Sequence, residues 1–390
     1  MGGLAWRGVF LVLPLVAAGL LGHAGCAADP EASTTSDAGP ETVAPPVPDA
    51  DLPDTSPPAV GCEGDRASDG MWQHLRCAGL YADIATKRVA PELRPYKPAL
   101  ELWVDGATKE RFIFLPPGTK IDTTNIDEWV FPNGTKLWKE FRLEGKRIET
   151  RLYEKGADEM WRHASFVWSD DESDAVRVDG GRRIARGGPD VPPYEIPTAT
   201  QCNDCHGGRK DRILGFEAVN LGLTGASGIT LATLVTEGLL TSPPPAATLA
   251  FPEDATGKAA PALAWMHVSC GPCHNQSGGG SAKNSRVYTL THASELFAED
   301  GGAATVAALD AFTRTVGHSS TIEIPDGGGA TFQFIKAGDP SSSLVSYLSG
   351  RRVAASANPS VQEQMPPFVT RLVDTKGHAL LDDWISALPP

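Results

Sequence analysis

Two pentapeptides constrain this chain more than anything else in it: Cys202-Asn-Asp-Cys-His206 and Cys270-Gly-Pro-Cys-His274. Seven Cys and nine His in 390 residues would give about 0.003 chance copies of Cys-x-x-Cys-His, so two copies are not an accident. The spacing is that of covalent c-type haem attachment. On a helical turn, residues i and i+3 share a face. Cys202 and Cys205 would therefore reach the two vinyl groups of one porphyrin, with His206 placing its imidazole on the iron. Cys270, Cys273 and His274 repeat the arrangement, so two c-type haems are expected.

Three other chemistries use paired cysteines. A zinc site takes four thiolates, but its Cys pairs sit closer together than the 64 residues between these, and a His abuts each pair here. A thioredoxin-like redox motif needs a βαβ context that neither site has. Two structural disulfides are the third reading.

The sixth ligand decides what each iron does. Met365, in Gln364-Met-Pro-Pro-Phe368, lies downstream of the second motif on a proline-stiffened loop and is expected as its distal ligand. Met/His coordination raises the potential and favours electron transfer. The competing reading is a core methionine. The first motif has no comparable loop. Met160, His163, His267, His292 and His318 are its candidates, Met266 reads as core, and an open iron site is the remaining option.

The N-terminus places the chain outside the cytoplasm. Arg7, the apolar run Val9 to Leu21 and the small residues before Cys26 read as a secretory signal over residues 1–26. The ending resembles a bacterial lipoprotein signal, which makes Cys26 the lipidated residue; His23 stands where that signal usually has an aliphatic residue, so plain cleavage is the alternative. Ala27 after Cys26 fits outer-membrane sorting, on the periplasmic face. Residues 27–61 hold seven acidic residues, no Lys or Arg, and much Pro, Ala, Ser and Thr. Such a segment cannot bury a core and reads as a disordered tether. Cys62 and Cys77 are the only other cysteines, and in an oxidising compartment they are expected to form a disulfide.

The formal charge of −14 leaves −8 on residues 62–390 once the tether and Arg7 are set aside. A mildly acidic body without a basic cluster argues against nucleic acid. It suits a redox protein partner with a basic docking face.

Within the body the pattern changes near residue 200. Before it, Leu100, Leu102 and Val104 alternate with Glu101, Trp103 and Asp105, Arg111-Phe-Ile-Phe-Leu115 runs up to a turn, and Ile148 to Tyr153 and Trp161 to Trp168 alternate again. Pro116-Pro-Gly118 and Phe131-Pro-Asn-Gly134 supply turns, so 62–200 reads as an antiparallel sheet or sandwich. After it the spacing is helical: 229–240, Pro261 to His274, a helix opened by Asp339-Pro340, and a closing amphipathic helix with Leu380, Leu381, Trp384, Ile385 and Leu388. The surroundings of the first motif are less helical than those of the second. The expected segments are 201–260, carrying the first haem, and 261–390, carrying the second. Asp170, Asp171, Glu172 and Asp174 read as a solvated turn.

Four stretches carry a resemblance. Cys270-Gly-Pro-Cys-His274, Gly338-Asp-Pro-Ser-Ser-Ser-Leu344, Met365-Pro-Pro367 and Asp382-Asp-Trp-Ile-Ser-Ala-Leu388 together resemble class I c-type cytochrome domains. That resemblance implies that the helix before the second motif crosses the closing helix, with Trp265 or Leu263 near Trp384. More broadly, Phe131-Pro-Asn-Gly-Thr135, Glu149-Thr-Arg-Leu152 and Tyr194 to Pro197 before the first motif make the chain similar to exported bacterial dihaem c-type cytochromes with a β-rich N-terminal region. It implies two covalent haems and electron transfer, and names no substrate.

The expected fold is therefore α+β, a β-rich antiparallel sheet or sandwich followed by an α-helical cytochrome c-like haem part. The expected role is electron transfer. The rivals are a haem enzyme, with an open first haem acting on peroxide or another small molecule and the second haem as relay, and a binding module built on the β-rich part.

Overall fold

Alternating apolar residues between turn formers produce the dominant element. In the computed structural model, which describes residues 61–188, 191–278, 287–297, 304–320, 331–353 and 363–390, a seven-stranded antiparallel sheet runs through the body. Its long strands are β4 (Thr108–Phe114), β5 (Lys136–Leu143), β6 (Lys146–Lys155) and β7 (Trp161–Trp168). Beyond them lie β3 (Arg94–Lys97) on one side and β8 (Ala175–Val178) on the other. Short hairpins lie outside it: β1 (Tyr81–Asp83) with β2 (Arg88–Val89), and β9 (Arg182–Ile184) with β10 (Tyr194–Ile196). Cys62 and Cys77 are joined by a disulfide, Cα atoms 5.6 Å apart, at the start of the described body.

The two faces of the sheet are both used. One buries Trp138, Leu152 and Phe166 against Met71, Leu75 and Leu80. On the other, Ile113, Leu137 and Tyr153 meet residues from the rest of the chain. Those come from α2 (Ala218–Gly222), α3 (Leu231–Thr236), α4 (Ala259–Ser269) and α8 (Thr375–Ala387), through Val219, Leu234, Leu263 and Trp384. The remaining helices, α1 (Ala199–His206), α5 (Ala293–Leu296), α6 (Asp310–Thr313) and α7 (Leu344–Ser349), span at most eight residues each.

This corrects the expected fold class. A cytochrome c-like helical part with its own core does not follow the sheet. Only α4 and α8 exceed eight residues, and both bury their apolar faces in the core they share with the sheet, while Leu344 and Leu348 of α7 belong to a smaller cluster. The seventh strand, β11 (Ser227–Gly228), comes from the later half and pairs with β3 at the sheet edge. The sheet is the larger structure, and a helix of one or two turns is stable only through what it packs on. The α4–α8 packing is present: Trp265 donates to the Asp374 carboxylate at 2.9 Å and covers Gly377, while Leu263 and Trp384 lie in the shared core.

Local expectations shift in three places. Leu100 to Val104 forms no strand; no neighbour pairs with it, and Asp105 (φ 54°) and Gly106 turn the chain instead. The helix expected over 229–240 is only Leu231–Thr236. Asp339 caps a single 3-10 turn, Pro340–Ser342, before α7. Cys26, with the rest of the expected signal and nearly all of the tether, lies outside the described residues.

Candidate functional site

Thr198 starts the site. Its hydroxyl accepts from Gln201 N, and the Gln201 side chain accepts from Thr198 N, a capping box that fixes the first turn of α1. The helix carries Cys202, Cys205 and His206 on regular turns, so the two sulfurs share one face. The second motif differs. α4 ends at Ser269, and Cys270 to His274 continue as turns, with Cys273 N and His274 N both donating to the Cys270 carbonyl. Gly271 and Pro272 break the helix there. The more regular helix thus belongs to the first motif, reversing the expectation from the surrounding sequence.

The two motifs meet. Cys205 Sγ and Cys273 Sγ lie 4.0 Å apart although 68 residues separate them in sequence. The approach is close enough to require glycine at 208, where a Cβ would run into the Pro272 carbonyl oxygen.

Each motif histidine anchors one ring nitrogen on a backbone carbonyl. His206 Nδ1 lies 2.5 Å from the Arg212 oxygen, and His274 bonds the Val287 carbonyl. A ring that donates at one nitrogen presents a lone pair at the other. Burial, with Lys139 next, pushes the His206 pKa well below its ordinary value; burial also lowers His274. Both are thus held as neutral imidazole. Arg212 has φ 60°, an uncommon conformation for a side-chain-bearing residue. Asp211 beside it locks the turn: its carboxylate takes Lys155 Nζ (2.9 and 3.0 Å), Trp161 Nε1 (2.8 Å) and Phe131 N (2.6 Å). Tyr153 stacks on the His206 ring at 4.3 Å, and His163 stacks on the opposite face of Tyr153.

Three of the four thiols are held away from thiolate: burial raises Cys202 and pushes Cys270 up to about 12, and the Cys273 contact raises Cys205, while the same contact lowers Cys273. Redox-active cysteines have lowered values. Among the described residues no three His, Cys, Asp or Glu side chains converge as they would around a bare metal ion.

Beside the first motif a cleft opens, bordered by Cys202, Cys205, His206 and Cys273. The cavity volume is about 160 Å³, and the cleft is open to solvent. The segment misread as a strand supplies one wall, through Leu100, Leu102 and Val104. Pro366 to Thr370 supply another, so the residues just after Met365 face the first motif.

The sheet supplies the floor. Lys109, Arg111, Lys139, Phe141 and Arg151 line the cleft from alternate positions of β4, β5 and β6. Burial, then the neighbouring Arg111 and Arg151 charges, pushes Lys139 down to about 7. Nothing in the residue order of separate strands announced this cluster; only their register assembles it.

The other candidate ligands have defined surroundings. Met365 packs half-buried with Val287, Phe332, Phe334 and Leu348. It therefore packs on the cluster that includes Val287, whose carbonyl holds His274, while lying outside the cleft lining. His267 borders the cleft, but Thr291 N donates to its Nδ1 at 3.2 Å and Glu217 Oε1 lies 3.6 Å from its Nε2. Burial alone would raise Glu217; the His267 contact and the Arg209 charge outweigh it and hold the carboxyl at about 2. Tyr153 separates His163 from His206. His318 bonds the Thr313 carbonyl, His292 lies beside Asp127, Met160 is exposed, and Met266 is core. The acidic turn after β7 is closed by its own bonds, Asp171 accepting from Ser169 and Ser173.

No protein-family model matches the chain, and no curated protein and no solved structure is significantly similar to it.

Proposed function

We propose that the chain is an exported c-type cytochrome that carries electrons through two covalently bound haems. The observation that carries this reading is the pairing of the motifs: two Cys-x-x-Cys-His sets, Cys205 against Cys273, each with its histidine held by a backbone carbonyl. The donor set fits the group. Cys202 and Cys205 would hold one porphyrin and Cys270 and Cys273 the other, with His206 and His274 as proximal ligands. When bound, the haems supply one-electron redox chemistry. The protein's part is to fix the imidazoles, as the Arg212 and Val287 carbonyls do, and to exclude water from the shared contact. Met365 is the proposed distal ligand of the second haem.

The same reading places the body on a lipid anchor at Cys26, at the periplasmic face of a bacterial membrane, with the acidic tether as spacer. No helix among the described residues is long and apolar enough to cross a membrane. The net charge of −8 on residues 62–390 favours a redox partner with a basic docking face.

A second reading is favoured by one feature. The cleft lining at the first motif contains no methionine, and its second histidine, His267, has partners at both nitrogens. An open first iron would support peroxide or small-molecule chemistry.

Haem content decides first. Pyridine haemochrome on protein made with a c-type maturation system is expected to give two covalent haems per chain. A chain without haem would end the electron-transfer reading. A high-spin ferric signal that reacts quickly with peroxide would select the enzymatic one.

A further inference from the structure

We propose that Arg111, Lys139 and Arg151, with Lys109 beside them, form a carboxylate-binding row, and that its ligand is the pair of propionates on the porphyrin attached at Cys202 and Cys205. The inference rests on the haem reading above and assigns the sheet a direct part in it.

Register puts the row together. Arg111 of β4 pairs with Lys139 of β5, and Lys139 pairs with Arg151 of β6, so three basic side chains stand abreast on one face. Like charges directly opposite across a sheet are destabilising. Here they point into the cleft bordered by the first motif, where water screens them poorly.

Their partners do not balance them. Arg111 donates to Glu101 at 2.9 Å, but Glu101 also faces Lys97 at 3.7 Å. Arg151 donates to Glu149 at 2.6 and 2.8 Å. Among the described residues, Lys109 and Lys139 reach only the backbone carbonyls of Leu102 and Leu214. Arg111 is 6% exposed, and its Nη1 is buried with no hydrogen-bond partner. A buried unsatisfied guanidinium N–H is costly and points to an absent acceptor. Two lysines without a carboxylate and one idle Arg arm match a ligand that carries two carboxylates. The cleft lining beside the row includes the apolar Leu100, Leu102 and Val104, with Glu195 and Glu217 also at its border. A largely apolar ring with two carboxylates describes a porphyrin. A free carboxylate or oxyanion from solution shares the anionic chemistry and is the other source to distinguish.

The test is potentiometric titration of the holoprotein at neutral pH, with and without added acetate, for wild type, Arg111→Met and Lys139→Met. A cation beside a porphyrin favours the reduced state. Each variant is therefore expected to lower one of the two midpoints and leave the other in place, and acetate should leave the wild type unchanged. Both midpoints unmoved in the variants would overturn the proposal. So would a saturable shift of a wild-type midpoint by acetate, which would assign the row to a free anion. If the Arg111 variant does not accumulate, Lys109→Gln removes one charge but keeps a donor, and is read in the same way. A wild-type chain without haem would overturn the haem reading itself; two haems with immobile midpoints would overturn this inference alone.

Discussion

At the scale of single residues, the site depends on groups remote from the motifs. Asp211 never touches His206, yet it pins the turn whose next residue, Arg212, receives the imidazole. Asp211→Ala leaves Lys155 buried and unpaired and frees Trp161 Nε1. Removing one partner of a buried pair costs about 3–5 kcal/mol, and denaturant titration should register a loss of that size. A loss below about 1 kcal/mol would mean that water replaces the carboxylate. Met365 is the second residue to change. Met365→Ala should lower the potential of the second haem and open its iron, and an unchanged potential would return the side chain to the apolar cluster it shares with Val287.

At the scale of elements, close approach between the two motif segments is the constraint. Gly208→Ala sets a methyl group against the Pro272 carbonyl. Overpacking of this kind costs about 1–3 kcal/mol, whereas Gly180→Ala, in open space, should fall within ~0.5 kcal/mol of wild type. Equal effects from the two would remove the close contact from the account. Much of this level was legible from sequence. The long strands announced themselves by period-two alternation between Pro-Gly and Asn-Gly turns. The misread segment, Leu100 to Val104, alternates for another reason: it is extended chain facing a cleft, and alternation marks an extended backbone whether or not a neighbour pairs with it. The helix of the first motif also had a signal that went unused, the Thr198-x-x-Gln201 capping box. The cation row had none, because Arg111, Lys139 and Arg151 become neighbours only through register.

At the scale of the molecule, the shared core carries the argument. Tyr96, Ile113 and Leu137 belong to the same cluster as Leu263, Trp384 and Leu388. A sheet and helices that share a core should unfold together in one cooperative step. Far-UV and tryptophan signals are therefore expected to give coincident thermal transitions. Two separated transitions would restore an independent helical part. The expected helical domain failed for a physical reason: helical periodicity over 10 or 15 residues reports which face is apolar, not what that face meets. In this chain it meets the sheet.

The contact between Cys205 and Cys273 also bears on the order of manufacture. Partners 68 positions apart in sequence are brought within 4.0 Å only when the fold is nearly complete. In that finished state Gly208 lies directly against the Pro272 carbonyl, and Cys205, Cys270 and Cys273 are half-buried. An attaching machinery needs each pentapeptide accessible. On the haem reading, loading falls to the freshly exported chain, before the fold brings the two motifs together.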